Sequence, residues 1–281
     1  MSTLASSRGS LKKLPKACRN ILLGLGLLTG IGTAHATTVQ IQTVMGDFEV
    51  NLFDKHTPKT VENFLAYVSA NAYTDSIIHR TVPGFIVQGG GFKYDGKLPP
   101  VEILRNPAVV NEPLFSNVRG TIAMAKIEND PNSATNQWFI NLADNSGNLD
   151  KQNNGFTVFG QVVGNGMGIV DSMAALNRFK LGGAFNEMPL RNFSATDAVD
   201  EDHLVLVTGI VVLDPSRDTA DGLNPVRRVV GSSSSSASST PNSGGGSSGG
   251  GSMGAGSLLL MLGLVGSLLI NTRRSAYRKN R

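Results

Sequence analysis

"HRTVPGFIVQGGGF", residues 79–92, sets one arginine and one glutamine among apolar residues and ends in three glycines and a phenylalanine. Two short apolar runs, "SIIHRTV" (76–82) and "FIVQG" (85–89), are bounded here by Pro83, Gly84 and the glycines, which predicts strands rather than a helix. The glycines do not open a helix after a strand, so they make no phosphate cradle. Arg80 taken alone reads as a strand-end surface charge. Whether it is more depends on what surrounds it.

Working outward, the pattern stays strand-heavy. "VQIQTV" and "DFEVNLF" meet at Met45-Gly46 and predict a hairpin. "TPKTVENFLAYVSAN" (57–71) has Thr57 as N-cap, Pro58 at the first helical position and apolar residues at 61, 64, 65 and 68, which predicts a helix. Further short apolar runs lie at "GTIAMA", "QWFINL" and "FTVFGQVV", and "GMGIVDSMAALN" (166–177) predicts a second helix. "HLVLVTGIVVL" (203–213) is continuous enough to be a buried closing strand. Short strands with two separated helices suggest a closed β-barrel whose ends the helices cover.

Several chemistries find no support. No G-x-S-x-G lies between residues 37 and 230, those at 245–254 being part of the Ser/Gly tract, and the only cysteine, Cys18, precedes the N-terminal apolar run. No two histidines have ligand spacing. "DNSGNLDKQNNG" (144–155) lacks the glycine and the final carboxylate of a calcium loop and reads as a polar turn. What remains is an apolar, charge-poor site with one arginine. That suits rotation about an X-Pro bond, which needs neither proton transfer nor a covalent intermediate. The barrier of ~18–20 kcal/mol comes from broken amide resonance. An apolar pocket for the ring and a fixed donor to the twisted amide lower it. Arginine stays charged at any working pH and presents a planar fork.

"HRTVPGFIVQGG", "GTIAMA", "NSATNQWFINLADN" (132–145), "NLD" (148–150) and "FTVFGQVVGNGMGIVD" (156–171) together resemble a cyclophilin-type peptidyl-prolyl cis-trans isomerase, closest to the exported bacterial subclass. The resemblance covers residues 38 to 214. It implies a mainly β fold, a closed eight-stranded antiparallel barrel capped by two α-helices, and activity without cofactor or ATP. It assigns Arg80 as the catalytic arginine, Phe85, Ile86 and Phe139 to the proline-pocket wall, and Gln88 to orienting the arginine. Ala125, Lys126 and Gln137 match the groove for residues preceding proline. Lys126 stands where the family carries Asn or Arg, and Ile86 replaces a more usual methionine. Two further departures bear on activity. Phe156 occupies a rim position held by His or Tyr, and Asn148 stands where eukaryotic members carry Trp. A prolyl-peptide binding or holdase module without turnover is the rival reading. His79, Pro83 and Phe92 are expected to be scaffold, and Gly89, Gly90 and Gly91 to let the chain turn sharply.

The ends carry different information. Residues 1–36 hold five basic groups and no acid, then "ILLGLGLLTGIG" and "AHA", the order of a secretory signal with Thr37 as the first mature residue. The last nine residues hold five more basic groups, leaving 15 Lys and Arg in the middle against all 21 acids. The middle is therefore acidic, and nucleic acid is not an expected partner. Residues 37–214 are expected to form the isomerase domain, 215–252 a disordered Ser/Gly-rich linker, 253–271 a transmembrane helix and 272–281 a basic cytoplasmic tail. Glycine-serine tract, short apolar helix and basic end resemble a GlyGly-CTERM sorting signal, which implies processing by a rhomboid-type protease. Exported proline-containing polypeptides would be the clients, met on the periplasmic or cell-surface side.

Overall fold

The computed structural model describes residues 37–194, 196–216 and 222–229. The expected signal segment (1–36), the apolar run 253–271, the basic tail and most of the expected linker lie outside them. Among the described residues no helix is long and apolar enough to cross a membrane.

Alternation decides the first hairpin. β1 (Thr38–Thr43) turns Val39 and Ile41 inward and β2 (Phe48–Leu52) turns Phe48, Val50 and Leu52 inward. The register sets Val39 opposite Val50 and Ile41 opposite Phe48, so apolar side chains meet on one face. α1 (Pro58–Ser69) starts at the expected proline and buries Val61, Phe64, Tyr67 and Val68. Its N-terminus is not capped by the Thr57 side chain, whose hydroxyl donates to the Phe53 carbonyl instead. The Glu112 carboxylate does that work, accepting the Thr60 N–H at 2.9 Å and the Thr60 hydroxyl at 2.7 Å. An acid beside a helix N-terminus meets both an orphan donor and the positive end of the dipole.

The remaining strands are short: β3 (Ser76–Ile77), β4 (Arg80–Val82), β5 (Ile86–Gly89), β6 (Phe92–Lys93), β7 (Val101–Glu102), β8 (Thr121–Met124), β9 (Trp138–Asn141) and β10 (Val158–Val162). α2 (Ser146–Leu149) is a single turn, α3 (Gly166–Ala174) packs against the sheet, and β11 (Arg178–Phe179) pairs with β12 (Met188–Pro189). β13 (Leu206–Asp214) returns beside β1. The main sheet is antiparallel and curled, with order β4-β5-β9-β8-β10-β2-β1-β13-β3-β6-β7. The eight strands expected thus become eleven, and the ladder runs open from β4 to β7 rather than closing on itself. The second predicted helix stops at Ala174, because the chain turns at Leu176–Asn177 into β11. The closing strand is buried only in its first half; Val211, Val212 and Leu213 are exposed along the β1 ribbon.

The domain does not end at 214. Residues 222–229 form a strap that lies along 113–116: the Ser116 N–H donates to the Val226 carbonyl at 2.8 Å and the Arg228 N–H to the Leu114 carbonyl at 3.0 Å. Leu223 of this strap packs on the apolar cluster described next.

Candidate active site

Pairing on the β4–β5 hairpin sets Arg80 opposite Gln88, and the β5–β9 ladder sets Gln88 opposite Phe139. The polar side chains follow that register. Arg80 Nη1 donates to Gln88 Oε1 at 3.3 Å, and Gln88 Nε2 donates to Gln137 Oε1 at 2.9 Å. Because the Gln88 nitrogen is committed to Gln137, its oxygen is the end that faces Arg80. Burial draws the half-buried guanidinium down from the ordinary arginine range, and Glu187 opposes that shift.

Beside this chain of donors lies an apolar cluster to which five residues on or next to four elements contribute. Phe85 precedes β5, Ile86 is on β5, Phe139 on β9, Leu149 on α2, and Phe156 lies two residues before β10. Phe85, at 9% exposed, is the most open of these walls; Ile86, Phe139 and Leu149 are fully buried. The Phe139 and Phe156 rings meet edge to face at 5.9 Å. An open cleft of about 780 Å³ is lined by Pro83, residues 174–180, Asn186 and Glu187, and by none of these wall or donor residues.

Arg80, Gln88, Gln137, Phe85, Ile86 and Phe139 are therefore brought together. Ala125 joins the same wall, its N–H donating to the Gln137 carbonyl at 2.9 Å. Asn148 sits half-buried on α2 one residue before Leu149. Lys126 is not where a groove residue should be. Its side chain is buried, and its ammonium donates to the carbonyls of Asn153 at 2.7 Å and Gly155 at 2.6 Å. It also lies 4.7 Å from the centre of the Phe156 ring. Phe156 is correspondingly a covered residue, not an open rim. Leu149 is the wall residue that residue-by-residue reading missed; the motif "NLD" contained it, but one leucine in a polar turn gives no signal of its own.

The glycines serve close approach more than turning. Only Gly90 has a positive φ, and a Cβ there would stand 2.6 Å from the Asn136 carbonyl oxygen and 2.7 Å from the Trp138 ring. At Gly91 a Cβ would stand 2.7 Å from Gln137 Cδ, so a side chain would push away the glutamine that holds Gln88. His79 lies under β4, edge-on to Phe92 at 5.1 Å, and burial with the Arg80 charge lowers its pKa to about 3. It is a neutral scaffold residue at any physiological pH.

Residues 38–195 match the sequence model of the family described as "Cyclophilin type peptidyl-prolyl cis-trans isomerase/CLD". Over 157 residues the chain is 40% identical to a peptidyl-prolyl cis-trans isomerase of Acinetobacter baylyi, which spans 55% of this chain and 80% of that protein. It is 42% identical over 140 residues to peptidyl-prolyl cis-trans isomerase B of Escherichia coli, 48% of this chain and 82% of the relative. A crystal structure of a cyclophilin type isomerase from Cryptosporidium parvum aligns with 63% of this chain and 98% of its own, at a TM-score of 0.47 and 23% identity.

Proposed function

The chain belongs to the cyclophilin-type peptidyl-prolyl cis-trans isomerases, and from that premise we propose how its residues divide the work of turning an X-Pro bond. The proline ring rests on Phe85, Ile86 and Phe139, which fixes one side of the bond while the preceding carbonyl rotates. Arg80 presents its guanidinium to the amide. As resonance is lost, the prolyl nitrogen gains a lone pair and the carbonyl changes direction, so the donor's contribution grows in the twisted state. Gln88 holds the guanidinium by its oxygen. Gln137, whose own oxygen is taken by Gln88, offers its amide nitrogen to the residue before proline. Ala125 forms the floor of that groove, and Asn148 on α2 borders the far side of the pocket.

The observation that carries this reading is the Arg80–Gln88–Gln137 chain set against one apolar cluster, with Arg80 held at 3.3 Å by a glutamine whose nitrogen is committed to Gln137. Protease-coupled isomerisation of a short Ala-Pro peptide tests it. Turnover that collapses in Arg80→Ala supports the assignment, and turnover that survives the change removes Arg80 from the reaction.

The place of action is a second proposal, resting on the charge order of the two termini. Residues 1–36 direct export, 253–271 anchor the chain at least transiently, and the GlyGly-CTERM-like end is offered to a rhomboid-type protease. Clients are then proline-containing exported polypeptides. Fractionation of cells carrying a tag before residue 231 tests this: a cytosolic product defeats export, and a tagged species with the mass of an intact tail defeats processing.

A further inference from the structure

Three consecutive residues, Asn153, Asn154 and Gly155, hold left-handed backbone with φ of 49°, 61° and 80°. Asparagine tolerates that region better than most residues, but two in succession persist only where the surroundings over-determine them. Here donors from three distant segments converge on the three carbonyls. Lys126 Nζ takes those of Asn153 and Gly155, Asn111 Nδ2 takes that of Gly155 at 2.8 Å, and Arg228 Nη1 takes that of Asn154 at 3.0 Å. A Cβ on Gly155 would stand 2.9 Å from Arg228 Cζ, so the guanidinium lies directly against the turn. The residue that follows the turn is Phe156, clasped between the Phe139 ring and the Lys126 ammonium.

Arg228 arrives there on the strap 222–229. The strap is pinned by its two backbone hydrogen bonds to 114–116, by Leu223 on the apolar cluster and by Arg227 over the Phe115 ring at 5.8 Å. We propose that Arg228 is a positioning residue of the isomerase: with Lys126 it fixes the 153–155 turn, and through it the Phe156 side of the proline pocket. The strap, which follows the last strand of the main sheet in sequence, is thereby part of the site. This rests on the apolar cluster being the proline pocket. Two cations on one turn also repel. Burial first, and Arg228 second, lower the Lys126 pKa to about 8, with Asp130 opposing.

The test uses the full chain and an X-Pro peptide. Arg228→Met is expected to raise KM about five-fold, the net scale of one ordinary, solvent-exposed hydrogen bond, with kcat nearly unchanged. Arg228→Lys keeps the charge without the fork and falls between the two. In a Phe156→Ala background the Arg228→Met change adds nothing, because the residue acts through Phe156. The Lys126 side-chain NMR titration moves upward from about 8 once its positive neighbour is gone. A wild-type KM in both Arg228 variants overturns the proposal, as does an equal penalty with and without Phe156. Arg80→Ala run alongside separates the premises: if it leaves turnover intact, the reading of the site has failed, whereas collapse there with no effect at Arg228 defeats the positioning role alone.

Discussion

The two sides of the pocket are built on different principles. The side carrying Arg80, Gln88, Gln137 and Phe139 is held by the β4–β5–β9 ladder, whose register places Arg80, Gln88 and Phe139, with Gln137 just before β9 bonded to Gln88. The side carrying Phe156 is an irregular turn held by side-chain donors from residues 27 and 74 positions away in sequence. A ladder is cooperative, and losing one side chain leaves its backbone in place. A turn clamped by single donors gives way where a donor is lost. The first side should therefore fail in chemistry while keeping its fold, and the second should fail in stability and substrate affinity first.

Arg80→Ala is the sharpest way to test the first half of that contrast. Removing one preorganised donor to a developing charge costs about 10²–10³ in rate, and kcat/KM should fall by that order while thermal unfolding stays close to wild type. Arg80→Lys should recover little, since a point charge does not reproduce a fork held by Gln88. A melting temperature that drops steeply in Arg80→Ala would break the comparison, because the guanidinium would then be holding the hairpin.

Lys126→Met tests the other half. It leaves two buried carbonyls without their charged donor, and the loss should be about 2–3 kcal/mol of unfolding free energy, read by urea titration, with a raised KM. A variant as stable as wild type would mean that the turn holds itself.

The ladder side has one weakness of its own, which pH exposes. His79 is buried and neutral with a pKa of about 3, against an ordinary value of 6.5. Between those values the unfolded chain binds a proton that the folded one refuses, so stability is lost as pH falls through that window. The loss should reach about 2 kcal/mol between neutral pH and pH 5, read by denaturant titration at each pH. His79→Phe should flatten that limb, and an unchanged slope would mean that another group titrates there.

How much of this was legible in the sequence follows the same division. The hairpin and the α1 face follow from periodicity, and Arg80 with the five residues gathered around it from the short motifs that carry the family resemblance. Strand register then does the placing, because once two strands pair, alternation decides which side chains share a face. Lys126 could not be placed that way. Its neighbours in sequence put it in the groove, but its length and charge carry it to carbonyls 27 residues on, and nothing in "AMAK" reports that turn. Arg228 was hidden more deeply, inside a segment whose composition reads as linker. The strap folds back because Leu223, Arg227 and Arg228 each find a partner on the domain. The open ladder was missed for a related reason: two-residue strands such as β6 and β7 leave no periodicity to read.

Phe156→His makes the smallest change and the most discriminating one. It restores a donor at the position where the resembling family carries His or Tyr, and one neutral hydrogen bond to substrate is worth about 0.5–1.5 kcal/mol, a two- to ten-fold gain in kcat/KM at most. Against it stand the lost contact of the Lys126 ammonium with the phenyl face, 4.7 Å away, and the repulsion between that ammonium and a protonated imidazole. Both penalties fall as the imidazole deprotonates, and the second falls again as Lys126 loses its proton above about 8. The net effect at neutral pH should be a gain of about two-fold or none, rising toward alkaline pH. Measured against Lys126→Asn alone, which removes the cation and already carries the raised KM of the lost turn donor, adding Phe156→His should show its full gain without the alkaline rise. If the single change instead costs activity at every pH and the pair does not recover it, then Phe156 and Lys126 do not compensate each other, and the turn side of the pocket is set by the strap alone.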